Sequence, residues 1–366
     1  MIATAPGKLI VTGEYAVLEG APALVLAMSR RAVAMHSRGP RGSSAFLIAV
    51  IEEIEKRLGS GHNAARAAAA VVVDSTQFYD RGMKLGLGSS AAVTVAATAL
   101  ALAADHEAVP TIDRDLVLAI ASAAHAAAQS TRAGRDSSVM IPRPTDDKLD
   151  RGAWYRARGS GADIAAAVFG GVIAFQRTTP DRVAWPSDAA ARGRATTMDG
   201  ATIERVSWPS ELTLIPFFTG VAADTPTLVS AVAAAREREP VKVDAALAAI
   251  DKASRAACQA CAARAPEIAS NALLAALALA AHATDQLAAA TGLPLVPSTV
   301  TAARSALARV GGAVKTTGAG GGDIAIAVIP ATEDATQARR YLIEAGCQPL
   351  RLSVDNTGVD LQPDAQ

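Results

Sequence analysis

Residues 84–92 read Lys-Leu-Gly-Leu-Gly-Ser-Ser-Ala-Ala and join two apolar segments of the chain. The segment before them, residues 70–79, is apolar and β-branched at its start and polar at its end. The segment after them, residues 91–104, is rich in Ala, Leu and Val and has no Gly or Pro, which predicts a buried helix. Gly86 and Gly88 allow this loop to turn tightly and to approach a ligand closely, because neither carries a Cβ atom.

This glycine-rich loop has two interpretations. A loop that leads into a helix N-terminus is typical of an anion site, because the unpaired amides of the first helical turn point back at the loop. We then expect the anion to be a nucleotide phosphate, with Ser89 or Ser90 as the helix cap. The loop is not a Walker A motif, since no Gly-Lys-Ser/Thr follows the glycines. The alternative is a Gly/Ser turn that only caps a helix.

Composition limits the class of protein. The chain has 366 residues, which favours two domains, and its 35 Lys and Arg balance 35 Asp and Glu. A formal net charge of zero gives no support for nucleic-acid or membrane binding through a global field. The longest uncharged apolar runs, residues 91–104 and 272–281, are too short to span a bilayer, and the N-terminus lacks the features of a signal peptide. We therefore expect a cytoplasmic protein without nucleic-acid or membrane partners.

The cysteines and histidines show no metal-binding pattern. The chain has 3 cysteines, which cannot form a disulfide framework. Cys258 and Cys261 have Cys-x-x-Cys spacing, but they lie in an Ala-rich helical pattern without a second pair or nearby histidines. We interpret them as small helix residues rather than as zinc or redox groups. His125, within a helix predicted over residues 111–129, is interpreted as a packed helix residue rather than as a base.

Apolar periodicity predicts strands and helices along the whole chain. The predicted strands are residues 2–5, 8–11, 31–36, 170–176, 212–218, 324–329 and 350–354. The predicted helices are residues 45–58, 91–104, 111–129, 164–168, 241–264, 266–291, 299–310 and 334–345, with a further helix from about residue 225. The polar residues 178–205 are interpreted as a hinge or edge hairpins between two domains. The pattern predicts an α+β architecture.

Three further segments are candidates for function. Residues 131–158 are charged and irregular, which is typical of a solvated loop or of a lid or phosphate-gripping flap. Asp163 follows Gly-Ser-Gly-Ala in the first turn of a predicted helix, where it is either stabilised by the helix dipole or exposed as a catalytic carboxylate. Residues 318–323 read Gly-Ala-Gly-Gly-Gly-Asp, and so many glycines indicate backbone that lies against a partner.

Three motifs, in this order and spacing, resemble those of the GHMP kinase superfamily. They are Pro6-Gly7-Lys8 with Gly13-Glu14-Tyr15, the loop at residues 86–92, and residues 318–323. Within the superfamily the chain is similar to the phosphomevalonate kinase group. The similarity lies in residues 7–18, in Gly-Ser-Gly-Ala-Asp-Ile-Ala at 159–165, in Trp208-Pro209, in Thr219-Gly220 with Thr225, and in the Asp that ends the third motif.

The chain also departs from that group. Residues 131–158 look like an insertion before Asp163. Val221 stands where the group often has Lys, and no Glu precedes Asp163 at the distance at which mevalonate kinases carry a metal ligand. The resemblance therefore leaves the grip on the substrate phosphate and the full set of metal ligands unassigned.

The resemblance implies a two-domain α+β fold with nucleotide in the cleft between the domains. Residues 1–205 would form a ribosomal S5 domain 2-like nucleotide-binding domain with a mixed sheet, and residues 206–366 a ferredoxin-like domain with extra helices. It implies ATP-dependent phosphorylation of (R)-5-phosphomevalonate to 5-diphosphomevalonate in the mevalonate route to isoprenoids. ATP and Mg²⁺ would be the cofactors, the small-molecule substrate and ATP would be the partners, and a homodimer is left open.

The resemblance also implies roles for particular residues. Asp163 would orient or deprotonate the acceptor oxygen, and Lys8 would pair with Asp163 and stabilise the transferred charge. Ser90 would be the hydroxyl ligand of Mg²⁺. The nucleotide would be bound by Lys84, Gly86, Leu87, Gly88, Ser89, Ser90 and Ala91. The substrate would be bound by Glu14, Tyr15, Ser160, Gly161, Gly318, Ala319, Gly320, Gly321 and Asp323.

Two other functions are compatible with these motifs. The first is a GHMP kinase that acts on mevalonate or another small hydroxylated acceptor such as a sugar. A hydroxyl acceptor would require Asp163 to act as a base. The second is a non-catalytic homologue that binds its ligand as a sensor. Loss of Lys8, Asp163 or the glycines would be expected in such a homologue, and all of them are present.

Overall fold

The computed structural model describes residues 1–37, 44–105, 111–136, 159–177, 195–198, 200–263 and 265–363. The strands are β1 Ile2–Thr12, β2 Ala23–His36, β3 Val71–Asp74, β4 Tyr79–Asp80, β5 Met83–Lys84, β6 Val172–Arg177, β7 Ala195–Met198, β8 Ala201–Val206, β9 Leu212–Phe218, β10 Ala313–Thr316, β11 Ile324–Pro330, β12 Gln348–Pro349 and β13 Asp360–Gln362. The helices are α1 Ala45–Leu58, α2 Asn63–Ala68, α3 Ser89–Leu102, α4 Arg114–Asp136, α5 Ala162–Phe169, α6 Thr225–Arg238, α7 Pro240–Ala262, α8 Pro266–Thr291, α9 Ser298–Leu307 and α10 Ala335–Glu344.

The larger sheet is built around β1 and β2. Its strands lie in the order β13-β1-β2-β6-β8-β7, and β3 also pairs with β2. The expected mixed sheet is wrong, because every pairing between the described strands of this sheet is antiparallel. A short connection with a 3-10 turn at Ala16–Glu19 joins β1 to β2, and such a connection reverses the direction of the chain.

Strand β1 runs through the Pro6-Gly7 pair, where the sequence predicted two separate strands. The pairing register with β2 shifts between Pro6 and Gly7, so the pair forms an irregularity within one strand. Proline is tolerated at such an irregularity because its missing N–H is not required by the ladder there. This continuous strand carries the first motif into the interior.

Helix α3 lies in the core, as the apolar stretch 91–104 predicted. Its side chains are buried on nearly every side, including Ala92, Val95, Ala96 and Leu100. A helix that is apolar all round requires neighbours all round, and α3 packs against β1, β2, α2, α4 and α5. The glycine-rich loop at its N-terminus is therefore held by a fixed element.

The smaller sheet has the order β10-β11-β9-β12 and packs on both faces. Ile324, Ile326 and Val328 of β11 join the core that includes the larger sheet. The alternate residues of the same strand face a second core formed with α9 and α10. This period of two is the pattern of a buried antiparallel strand, and it follows the apolar run predicted over residues 324–329.

Helix α8 contains the apolar run 272–281 and is longer than that run. By length and composition alone, its residues 267–291 could cross a membrane, and nearly half of that window is buried inside the protein. The helix packs against α7 and β10, with Leu273, Leu277 and Leu287 buried. This packing is that of a core helix with one solvent-facing side.

The C-terminal segment returns to the larger sheet. The strand predicted over residues 350–354 is wrong: in that range only Val354 makes an isolated bridge, to Met28. Arg31 forms an ion pair with Asp355 and donates to the Gly358 carbonyl, and β13 pairs with β1. These long-range contacts hold residues 355–358 in turns, which local apolarity does not encode.

Two predicted segments lie partly outside the described residues. Helix α4 continues to Asp136, beyond the predicted end at residue 129; residues 137–158 are outside the described part. Residues 178–205 were predicted to form a hinge or edge hairpins, and the described residues among them belong to the β7–β8 hairpin at the edge of the larger sheet. The division of the chain between residues 205 and 206 stays a prediction.

Candidate active site

The glycine loop (residues 85–88) ends at a left-handed glycine. Gly88 has φ 71° and ψ 40° and is the N-cap of α3, and no side chain caps the helix. The prediction that Ser89 or Ser90 is the cap is therefore wrong, since both lie inside the first turn. Glycine adopts this conformation without the Cβ penalty that an L side chain pays. The helix N-terminus is thus left open toward the loop, as an anion site requires.

The first motif lies directly against this loop. The backbone N–H of Lys8 donates to the Leu87 carbonyl at 2.8 Å. Gly7 makes this approach possible, because a Cβ atom there would lie 2.7 Å from Leu87 O and from the Phe78 ring. The Lys8 side chain crosses Gly88, so a Cβ on Gly88 would lie 2.9 Å from Lys8 Cε.

The third motif reaches the same loop from the other sheet. Asp323, with φ 52°, places its carboxylate against Gly86, where an added Cβ would lie 2.7 Å from Asp323 Cγ. The Ala223 N–H donates to Asp323 Oδ1 at 3.2 Å, and the Asp323 N–H donates to Val221 O at 2.7 Å. The third motif is therefore in direct contact with the glycine loop.

Tyr15 and Gly318 join the first and third motifs. The Tyr15 hydroxyl donates to the Ala319 carbonyl at 2.5 Å, and the Gly318 N–H donates to Ile10 O at 3.3 Å. The Tyr15 ring is buried in a cluster with Leu287 and Leu295, and this burial raises the pKa of its hydroxyl. Tyr15 has φ 58°, a strained value for a non-glycine residue that the surrounding contacts hold in place.

Glu14 does not face the cleft region as a substrate-binding residue would. Its carboxylate is buried and forms an ion pair with Lys315, whose ammonium also donates to the Val11 carbonyl at 2.7 Å. Burial raises the pKa of Glu14, and Lys315 opposes that shift. The prediction for Glu14 is therefore corrected: this side chain joins β1 to β10 inside the protein.

Lys8 is the charge on which the acidic groups of the site converge. Burial lowers its pKa, Asp163 and Asp323 act to raise it, and Lys84 lowers it further. The charge of Asp163 acts on Lys8 electrostatically. The direct ion pair that was predicted between them is not among the ion pairs of the described residues. Asp163 lies half-buried in the first turn of α5, next to the left-handed Gly161 that caps the helix.

The chain is similar to known kinases. Residues 265–347 match the family model described as GHMP kinases C terminal. A curated phosphomevalonate kinase from Streptomyces sp. (strain CL190) is 29% identical over 402 aligned positions, which cover 97% of each chain. Residues 265–347 therefore carry the C-terminal domain of the GHMP kinases. Over its whole length the chain is similar to a kinase of that superfamily.

Solved structures establish that the chain has the GHMP kinase fold. Streptococcus pneumoniae phosphomevalonate kinase, in complex with phosphomevalonate and AMPPNP, superposes with a TM-score of 0.69 at 17% identity, covering 97% of this chain and 99% of that one. L. major mevalonate kinase in complex with R-mevalonate superposes with a TM-score of 0.58 at 17% identity, covering 99% and 96%. At such identities the likeness concerns the fold.

The remaining predicted residues lie in three different surroundings. Lys84 is exposed at the end of the β4–β5 hairpin and acts on Lys8 electrostatically. The Ser160 hydroxyl accepts the Ala162 N–H at 3.2 Å, which orders the entry to α5. Gly320 and Gly321 lie against Leu295, whose carbonyl accepts the Gly321 N–H at 2.7 Å.

Two residues near the site were not assigned a functional role from the sequence. His125 of α4 bonds to the Ser90 hydroxyl, and burial lowers the pKa of its imidazole. Arg177 donates through Nε to the Ser160 carbonyl at 2.7 Å, so a cation lies beside the N-terminus of α5. No local pattern marked either one, although His125 and Gln129 are one helical turn apart.

The oxygen donors of the site fit Mg²⁺. A cluster of three or more His, Cys, Asp or Glu able to hold a metal is absent from the described residues. The available donors are the Ser90 hydroxyl and the carboxylates of Asp163 and Asp323. Mg²⁺ is commonly held by only one or two protein oxygens together with substrate phosphates and water, so this donor set is sufficient.

Proposed function

We propose that this GHMP kinase transfers the terminal phosphoryl group of ATP to (R)-5-phosphomevalonate, giving ADP and 5-diphosphomevalonate. The observation that carries the proposal is the position of Lys8, across Gly88 and in the field of Asp163 and Asp323. The Streptomyces relative named phosphomevalonate kinase, aligned over 97% of both chains, supports this choice of acceptor. So does the S. pneumoniae complex that holds phosphomevalonate and an ATP analogue in the same fold.

The glycine loop and the start of α3 bind the nucleotide phosphates in this proposal. The open helix N-terminus supplies backbone amides and the positive end of the helix dipole. Gly86 and Gly88 keep the loop free of Cβ atoms, and Leu87 is fixed from behind by the Lys8 amide. The phosphates are thus held without a Walker-type lysine in the loop.

Lys8 stabilises the charge that moves between donor and acceptor. Its side chain contacts Gly88 of the glycine loop, and its charge interacts with Asp163 of α5 and with Asp323 of the third motif. Phosphoryl transfer depends on in-line positioning and charge neutralisation more than on covalent chemistry. A fixed lysine beside the loop meets that requirement.

Asp163 positions the acceptor. A phosphate monoester has a second pKa of about 6 and is largely dianionic at neutral pH, so a strong base is not required. Asp163 accepts the N–H of Ile164 at 3.0 Å, which fixes one carboxylate oxygen and leaves the other for Lys8, the acceptor or the metal. Mg²⁺ held by Ser90 and Asp163 would supply further neutralisation of the nucleotide phosphates.

ADP release by the purified full-length chain tests the proposal. Mg-ATP is offered with phosphomevalonate, with mevalonate and with galactose in separate reactions. We expect turnover with phosphomevalonate alone. Turnover with mevalonate or galactose instead would move the acceptor to another GHMP substrate, and silence with all three would refute the proposed kinase activity on these acceptors.

Location and assembly are separate proposals. We propose a cytoplasmic location, and cell fractionation tests it. A homodimer is tested by light scattering on the purified chain.

A further inference from the structure

The Ser90 hydroxyl has a partner that lies outside the three motifs. Ser90 Oγ lies 3.1 Å from Nε2 of His125, which α4 brings against the first turn of α3. The imidazole is 2% exposed and stacks on the ring of Phe46, with centroids 5.2 Å apart and an interplanar angle of 24°. A buried ring in a stacked position has little freedom, so its nitrogen is a fixed reference for the hydroxyl.

Gln129 determines which way this hydrogen bond runs. Its side-chain nitrogen Nε2 lies 3.4 Å from the same His125 Nε2. An amide nitrogen only donates, so this contact favours the tautomer in which His125 Nε2 accepts and the imidazole proton resides on Nδ1. The Ser90 hydroxyl is the nearer of the two donors, and in this tautomer it donates its proton to the Nε2 lone pair. Its oxygen lone pairs are directed away from α4.

We propose that His125 is a positioning residue that orients the Ser90 hydroxyl, with its proton toward the imidazole and its lone pairs toward the Mg²⁺ of bound Mg-ATP. The inference deepens the proposed function and rests on it for the identity of the ligand. It assigns His125 no contact with the reacting groups. A hydroxyl without this partner is free to rotate and presents its proton to the metal in part of its orientations.

Three substitutions separate positioning from packing. His125→Met keeps an apolar side chain of similar length without an acceptor, and His125→Gln restores an acceptor oxygen at about the reach of Nε2. Ser90→Ala removes the hydroxyl. Phe46→Leu is the matched control, because it removes the stacking on His125 and leaves the hydrogen bond. Circular dichroism and the melting temperature confirm that each variant is folded.

Calorimetry of ATP binding, with Mg²⁺ and with EDTA in place of Mg²⁺, is the measurement. We expect His125→Met and Ser90→Ala each to weaken Mg-ATP binding about threefold to tenfold, the range of one net hydrogen bond. Binding of ATP in EDTA should change by less than about twofold, and His125→Gln should recover most of the loss. The double variant should be no weaker than Ser90→Ala, because residues that act through one another are not additive.

Equal losses with Mg²⁺ and EDTA, an additive double variant, or the same loss in Phe46→Leu would each overturn the proposal. If His125→Met does not fold, His125→Asn replaces it, because its shorter amide does not reach Ser90. The binding assay contains no acceptor. Failure of phosphomevalonate turnover would therefore refute the proposed function and leave this result standing.

Discussion

The side chain of Lys8 lies across Gly88 and leaves no room there for a residue with a Cβ atom. A Cβ at Gly88 would lie 2.9 Å from Lys8 Cε and 3.0 Å from Lys8 Cγ. The same glycine has φ 71° and begins helix α3. Gly88 therefore leaves the N-terminus of α3 open to an anion, and it also makes room for the Lys8 side chain beside that N-terminus.

Gly88→Ala should lower both nucleotide affinity and kcat. The added Cβ displaces Lys8 and strains the left-handed backbone, so we expect a loss of at least about tenfold in kcat/KM for ATP, since misplacement of about 1 Å costs up to a hundredfold. Gly292→Ala is the matched control. Its φ is 70° and nothing lies within 4 Å of the added Cβ, so only stability should fall, by about 1 kcal/mol. Equal kinetics for the two variants would contradict the role given to Lys8 and Gly88.

Asp163→Asn should lower kcat by about 100-fold or more, the effect of a positioned catalytic group. The substitution keeps the size of the side chain and removes the charge that acts on Lys8. Asp334→Asn is the control, since Asp334 is an exposed N-cap of α10 and Asn caps as well as Asp. Steady-state ADP release under saturating Mg-ATP measures both. Near-normal turnover in Asp163→Asn would remove this residue from the mechanism.

Glu14→Gln should destabilise the protein by about 3 kcal/mol, because the variant leaves the Lys315 ammonium buried without its counter-charge. The exposed pair of Glu239 and Lys242 is the comparison, and Glu239→Gln should change stability by less than about 1 kcal/mol. Urea unfolding followed by circular dichroism gives both values. If the two variants are equally stable, the buried pair does not join β1 to β10 energetically.

The free energy of unfolding should fall at low pH because His125 becomes protonated more readily in the unfolded chain. Its folded-state pKa lies below the ordinary value of 6.5, so the unfolded chain binds this proton more readily. The contribution is complete above pH 6.5 and is lost as the pH falls through the lowered folded pKa. Urea unfolding of wild type and His125→Gln between pH 7 and pH 5 measures it. The wild type should lose more free energy of unfolding than the variant. Parallel curves would contradict a lowered folded-state pKa of His125.

Local sequence predicted the parts of the fold that local forces decide. The helices at 45–58 and 266–291 and the strand at 212–218 were found with these bounds, because apolar periodicity and prolines define their faces and ends. The strand at 350–354 and the mixed sheet were wrong. Both depend on which distant segment pairs with which, and periodicity carries no information on that pairing.

The amino-acid sequence by itself determined the three glycine motifs, their order, the apolar helix behind the second motif and the resemblance to a family that binds nucleotide. Only the tertiary structure decided that Glu14 pairs with Lys315 and that His125 bonds to Ser90. The physical reason is distance along the chain. A left-handed backbone can be inferred from a glycine, whereas a buried charge or a hydroxyl is assigned its partner only when packing brings together residues tens to hundreds of positions apart.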